Sequence, residues 1–221
     1  MSDGRGPHLL ILDSAADRCA VGLFTGGQTL VERSEARRTG HAERLMPMAE
    51  DAMAEAGVAL SDLAAIVVST GPGSFTGVRI AVAAARGLAL ALGCPAIGVS
   101  RLEALAHRTP RPTLVGIDAG RGRLAVQLFT DEAGGEPEVA DITDLSARRW
   151  PADLTVLGDA ATMLAPQAGL SAGSAEVNPP LAHFAEIARD RLSGGAPRPA
   201  PLYLRPADAA PPSEAPPPRL P

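Results

Sequence analysis

Apolar runs and polar links alternate from the start of the chain. Leu10-Ile11-Leu12 ends at Asp13, a polar link follows, and Ala20-Val21-Gly22-Leu23-Phe24-Thr25 begins a second run. Gly26-Gly27 then turns the chain into a third, Thr29-Leu30-Val31-Glu32, so the opening reads as a three-stranded meander. A helical pattern over His41–Ala56 comes next. Ala65-Ile66-Val67-Val68 then reads as a buried strand, and Val78–Leu92 as a second helix. Farther on, Leu154-Thr155-Val156-Leu157-Gly158-Asp159 reads as a strand, and a helix is expected near Leu181–Leu192.

The opening pattern recurs. Ile117-Asp118-Ala119 followed by Ala125-Val126-Gln127-Leu128-Phe129-Thr130 lies over the first hairpin without a gap, at the offset that carries Asp13 onto Asp118. Gly134-Gly135 precedes a further strand around 137–142. Repetition of a strand-strand-strand-helix-strand-helix unit predicts a duplicated α/β fold with mixed central sheets. It resembles the actin, hexokinase and Hsp70 class (the actin-like ATPase fold), in which two aspartate-bearing hairpins face each other across a nucleotide cleft. The first subdomain is expected over 1–105 and a second, reduced one over 106–205. The proline-rich stretch 206–221 is expected to be disordered.

Between the buried strand and the second helix lies Gly71-Pro72-Gly73-Ser74-Phe75-Thr76-Gly77. Its glycines fit two readings. One is a loop offering backbone N–H groups at a helix N-terminus; the other is a tight turn that packs the helix back on the sheet. Thr76-Gly77-Val78 lacks the lysine of a Walker-type phosphate loop. Ser74 is flanked by Pro72 and Thr76 where a nucleophile elbow requires glycines.

Both N-half helices carry an apolar surplus. In Val78–Leu92 only Arg79 and Arg86 interrupt the apolar residues, on one stripe, and a helix apolar all round needs cover all round. In His41–Ala56, Leu45, Ala49, Ala52 and Ala56 form one stripe, and Met46 and Met53 lie on a second. Pro47 is expected near the first turn, or at a kink. The surplus predicts a protein–protein face. A standard interface hides roughly 800 Å² per partner, enough for a stable complex. The candidate interface residues are His41, Leu45, Met46, Met53, Arg79, Val82, Ala84, Arg86 and Gly87.

Composition narrows the function. With 221 residues and 46% apolar content but only 3% aromatics, the core must be built from Ala, Val, Leu and Ile. Net charge is −5 and every basic residue except histidine is arginine, which argues against direct, independent binding of nucleic acid. Cys19 and Cys94 read as small core residues in a reducing compartment. The N-terminus has no signal-peptide apolar core, and arginines interrupt the most apolar stretch, Val78–Leu92, so a soluble cytoplasmic protein is expected.

His8, His41, His107 and His183 form no His-x-x-x-His pair and no metal-ligand spacing, so neither a catalytic set nor a metal site is predicted. Asp13 and Asp118 are the best paired carboxylates. They would manage metal-bound phosphate in an active relative and here are read as vestigial, tying their turns. That leaves a small ATPase or phosphotransferase of the actin–hexokinase type as the alternative function.

Several stretches resemble one family, TsaB (YeaZ), the tRNA threonylcarbamoyladenosine biosynthesis proteins, grouped also as glycoprotease-like. They are Leu10-Ile11-Leu12-Asp13-Ser14-Ala15, His41-Ala42-Glu43-Arg44-Leu45-Met46-Pro47, Thr70 to Ile80, Ile97 to Ala106, Gly116-Ile117-Asp118-Ala119 and Pro201-Leu202-Tyr203-Leu204-Arg205. The resemblance implies a bacterial, cytoplasmic, actin-like protein that performs no chemistry itself. It would pair with its catalytic, metal-bearing paralogue TsaD and act with the ATPase TsaE. The complex attaches a threonylcarbamoyl group to the adenosine beside the anticodon of ANN-reading tRNAs. The two N-half helices would contact TsaD, or a second copy in a homodimer, and tRNA would be met only through the complex. No cofactor is implied for the chain alone, and a nucleotide at a subunit junction stays open. Gly120-Arg121-Gly122-Arg123 departs from the family pattern after the second aspartate.

Overall fold

Strands buried on both faces form the centre of the first sheet. A computed structural model of the chain describes residues 6–204 apart from Ala133 and Ala196, and the proline-rich stretch 206–221 lies outside them. Strands β1 (His8–Ala16), β2 (Arg18–Thr25) and β3 (Gln28–Ala36) form the expected antiparallel meander. Helix α1 (His41–Ala56) follows, stopped by Gly57, whose φ of 63° only glycine adopts cheaply. Strand β4 (Leu63–Ser69) then pairs in parallel with β1. Helix α2 (Phe75–Leu92), strand β5 (Ala96–Val99) and the short α3 (Arg101–Ala106) complete the unit.

The second unit runs through β6 (Thr113–Gly120), β7 (Arg123–Phe129), β8 (Glu138–Asp141), α4 (Ile142–Ala147), β9 (Thr155–Gly158), α5 (Asp159–Met163), α6 (Ala165–Ala168), β10 (Ser171–Ala172) and α7 (Leu181–Leu192). The sheet orders are β3-β2-β1-β4-β5 and β8-β7-β6-β9-β10, so one architecture occurs twice. The second copy is reduced: its fourth and fifth strands are four and two residues long.

Four apolar layers result. Leu10, Leu12, Val21 and Leu23 pack against α1 and α2. On the other face of that sheet Leu9, Ile11 and Phe24 meet Phe184 and Ala188 of α7, so the last helix returns to the first sheet. In the second sheet Leu114, Leu124 and Val126 pack on α4, α5 and α6, while Val115, Ile117 and Phe129 cover α3.

The gapless repeat needs one correction. Asp13 pairs with Ala20, but Asp118 pairs with Leu124 and not with Ala125, the residue that gapless alignment sets opposite it. The cause is the turn. Asp17 alone joins β1 to β2, whereas Arg121-Gly122, both at positive φ, join β6 to β7. One extra turn residue slides β6 by one place, and a one-place slip reverses every side chain. The fold therefore sets Asp118 where Ser14 stands in the first copy, and the two aspartates point to unlike layers.

Two element boundaries also differ from expectation. Helix α2 begins at Phe75, three residues early, because Ser74 caps it by accepting the Gly77 amide at 3.2 Å. Pro47 sits in the second turn of α1, not the first, on its exposed side.

Candidate interaction site

The glycine-rich loop is packed against the end of β1, with Gly73 to Thr76 still exposed on its outer side. A Cβ on Gly73 would lie 1.8 Å from the Ala15 carbonyl oxygen, and one on Gly77 would lie 1.9 Å from that of Ser14. The Ser74 amide donates to Ala15 O at 2.7 Å, and the Ser14 hydroxyl donates to Gly77 O at 2.8 Å. Gly71, at φ 90°, offers its carbonyl to the Arg101 amide at 2.7 Å. Of the two readings its glycines left open, this geometry follows the second: the N-terminus of α2 is laid directly on the end of β1.

Arg101 seals the other side. It is 3% exposed and donates to Pro72 O at 2.7 Å and Val177 O at 2.5 Å, while its Nε has no partner among the described residues. Burial pushes this guanidinium below its usual range, with the charge of Asp13 acting the other way. Asp13 is fully buried. Its carboxylate accepts from Arg18 Nη2 at 2.9 Å and from the Ala15 amide at 3.1 Å, and Arg18 also reaches Pro179 O at 2.9 Å. Segment 177–179 is thus strapped across the end of β1. Asp118 is exposed and, among the described residues, accepts only its own turn's Gly120 amide at 2.7 Å, while its amide donates to Asp159 Oδ2 at 2.7 Å. The structure does not bring the two aspartates to one site.

Among the described residues no three His, Cys, Asp or Glu side chains gather as a metal site. His107 and His183 meet edge to face between α3 and α7, where His107 and Arg108 both bind Glu186. Cys19 is buried, which pushes its thiol up to about 11, and Cys94 is half-buried at the foot of α2.

The apolar surplus is narrower than the sequence suggested. His41, Leu45 and Met53 of α1 and Val82 of α2 are buried in the chain's own core, and Met46 is half-buried. Helix α1 is therefore largely satisfied internally, because Leu45, Ala49, Ala52 and Met53 pack into the core it shares with the first sheet and α2, which leaves Met46 half-buried. Helix α2 is not. Ala84 and Arg86 are half-buried, whereas Arg79 and Gly87 are exposed. A seam along one stripe of the helix runs Phe75–Arg79–Ala83–Arg86–Leu90, exposed except at the half-buried Arg86, with Leu90 78% accessible. Arg79 stacks 3.7 Å over the Phe75 ring and donates to the Tyr203 hydroxyl at 2.7 Å, adding a second exposed aromatic. Starting α2 at residue 78 hid this seam, since Phe75 begins the i, i+4, i+8, i+11, i+15 pattern. Helix α2 has the length and hydropathy of a bilayer span despite its two arginines, which corrects the expectation that no such stretch exists. Its buried face, however, is packed on β1 and β4.

Two sheets of one order, each opened by a hairpin, define a duplicated actin-like protein. A family model for TsaD, tRNA N6-adenosine threonylcarbamoyltransferase, matches residues 34–142. The tRNA threonylcarbamoyladenosine biosynthesis protein TsaB of Escherichia coli is 38% identical over 122 residues, 53% of this chain. The chain spans 52% of that relative's length. A tRNA N6-adenosine threonylcarbamoyltransferase of Jannaschia is 56% identical over 73 residues, 33% of this chain and 20% of its own. Among solved structures, a Pseudomonas aeruginosa protein described by its similarity to peptidase YeaZ superposes with a TM-score of 0.76 at 30% identity. That match covers 90% of this chain and all of the other. YeaZ of the same organism gives 0.73 at 29%, with the same coverage. The ethanolamine utilization protein EutJ of Carboxydothermus hydrogenoformans shares the fold alone, at 0.51 and 11% over 85% of this chain and 90% of its own. The chain belongs to the TsaB/YeaZ family.

Proposed function

We propose that this chain is a non-catalytic subunit that binds and activates a TsaD-type threonylcarbamoyltransferase, which modifies the adenosine beside the anticodon of ANN-decoding tRNAs. The observation that carries the reading is the uncovered seam of α2. Fully burying one leucine is worth about 1.5–3 kcal/mol, and Leu90 lies almost bare on the same stripe as Phe75 and Ala83. The likeness of residues 34–142 to TsaD adds support, because that span holds α1 and α2 and a paralogue can offer a matching face.

On this reading the chain works in the cytoplasm, holds no cofactor by itself, and meets tRNA and the ATPase TsaE only within the complex. Any nucleotide lodges at a subunit junction. A second copy on the same face is the competing assembly. The phosphotransferase alternative draws no support from Asp13, whose carboxylate is sealed under Arg18 and segment 177–179.

The test mixes the purified chain with the transferase of its own host and measures complex formation and tRNA threonylcarbamoylation. Leu90→Glu is a cleaner probe than Ala84→Arg, since Ala84 also packs on the core. The expected result is a complex, stimulated modification, and at least about a tenfold loss of affinity for Leu90→Glu, the equivalent of about 1.4 kcal/mol. Absence of both complex and stimulation with the wild-type chain overturns the reading, as does tRNA modification by the chain alone.

A further inference from the structure

Arg79 and Arg86 stand seven residues apart on α2, about 10 Å along its axis at the helical rise, on the same stripe as Phe75, Ala83 and Leu90. The helix contains no acidic residue. Four other arginines are paired with carboxylates, Arg33 with Glu55, Arg44 with Glu35, Arg108 with Glu186 and Arg148 with Glu138, while the exposed Arg121, Arg149, Arg189 and Arg198 are in no ion pair among the described residues. Neither Arg79 nor Arg86 is in an ion pair with any carboxylate among the described residues. Arg79 is nevertheless held in place, with Phe75 stacked on its guanidinium and Tyr203 accepting from Nε. That arrangement fixes a positive charge on the apolar seam while leaving the fork's outer nitrogens for another molecule.

We propose that Arg79 and Arg86 select the partner of this face: an apolar helix surface of the transferase bearing two carboxylates about 10 Å apart, one for each guanidinium. The same pair disfavours a second copy. A two-fold interface lays identical patches on each other. With the seam antiparallel to itself and centred between the two arginines, Arg79 of one copy meets Arg86 of the other, and like charges oppose across a desolvating surface. The apolar seam supplies affinity for either occupant, and the charges decide between them. The inference rests on the partner-subunit reading for the identity of the acidic helix. The self-repulsion depends only on α2.

The experiment compares the wild-type chain, Arg86→Glu, and Arg79→Gln/Arg86→Gln, all checked for folding by circular dichroism. Affinity for the host's threonylcarbamoyltransferase is measured by calorimetry at low and high salt, and self-association of each chain alone by sedimentation equilibrium. The expected result is opposite movement in Arg86→Glu. Transferase binding weakens at least about tenfold, while self-association tightens at least about tenfold as Glu at 86 meets Arg79 of the second copy. The double glutamine variant binds the transferase more weakly and loses the salt dependence that the wild type shows. Wild-type affinity in both variants, with no salt dependence in any chain, overturns the proposed selection. Failure of the wild-type chain to bind the transferase overturns the partner-subunit reading and the acidic-helix identity with it. Unchanged self-association in Arg86→Glu then sinks the like-charge claim independently.

Discussion

The Ser74 amide and the Ala15 carbonyl lie 2.7 Å apart, and this hydrogen bond draws the start of α2 onto the end of β1. So close an approach leaves no room for side chains at Gly73 or Gly77. In an exposed helix interior, alanine normally stabilises over glycine by up to about 1 kcal/mol. At Gly77 the sign reverses, because the new methyl would lie 1.9 Å from Ser14 O, a backbone atom that cannot step aside. Gly77→Ala and Gly73→Ala are each expected to cost about 3 kcal/mol or more. Gly87→Ala in the same helix meets nothing within 4 Å and is expected to stabilise slightly. Urea unfolding of the three variants checks the contrast. Equal effects at Gly77 and Gly87 would show that the loop is looser than described.

Asp13 and Arg18 form a pair in which the carboxylate is wholly buried and the guanidinium side chain is 14% exposed. Removing one member of such a pair strands the other, at about 3–5 kcal/mol, whereas removing both costs less than the two single losses together. Asp13→Ala, Arg18→Leu and the double variant are expected to show that coupling in thermal or urea unfolding. If Asp13 instead served a bound phosphate, its replacement would leave stability nearly unchanged and abolish magnesium–ATP binding by the isolated chain. Strong destabilisation with no nucleotide binding in the wild type is the expected outcome.

Much of this architecture could be read from local pattern. The three-stranded opening, the exact span of α1 and the repeat follow from apolar runs broken by polar links, from period-3.6 spacing and from paired glycines at turns. What escaped depends on contacts that pattern does not record. A one-residue difference in turn length moved Asp118 off the position of Asp13, although the sequences align without a gap. The surplus on α1 vanished because Leu45 and Met53 are taken up by β2, β3 and α2, a fact of packing. Arg101 gave no signal in the sequence beyond its place after Ser100. Only the fold shows that it joins the glycine loop to segment 177–179 across 76 residues. The seam on α2 was half legible: its arginines and alanines were visible, but Phe75 needed the Ser74 cap to be recognised as the helix start.

Glu186 ties α7 to the end of α3, accepting from Arg108 at 2.7 and 2.9 Å and lying 2.7 Å from His107 Nε2. Burial pushes its carboxyl up, but the hydrogen bond from His107 and the charge of Arg108 outweigh that and hold it below the ordinary carboxylate value. A carboxyl depressed in the folded state stabilises the protein above its unfolded value, near 4.3, and that contribution disappears as pH falls through the lower folded value. Glu186→Gln is therefore expected to lower stability by about 1.5–3 kcal/mol at neutral pH, the range of a hydrogen bond to a charged partner. The gap between wild type and variant should close as the solution is acidified below about pH 4. Melting curves from pH 3 to 7 would measure both. A gap independent of pH would assign the contact to packing alone, and its absence at pH 7 would remove Glu186 as a tie between the two helices.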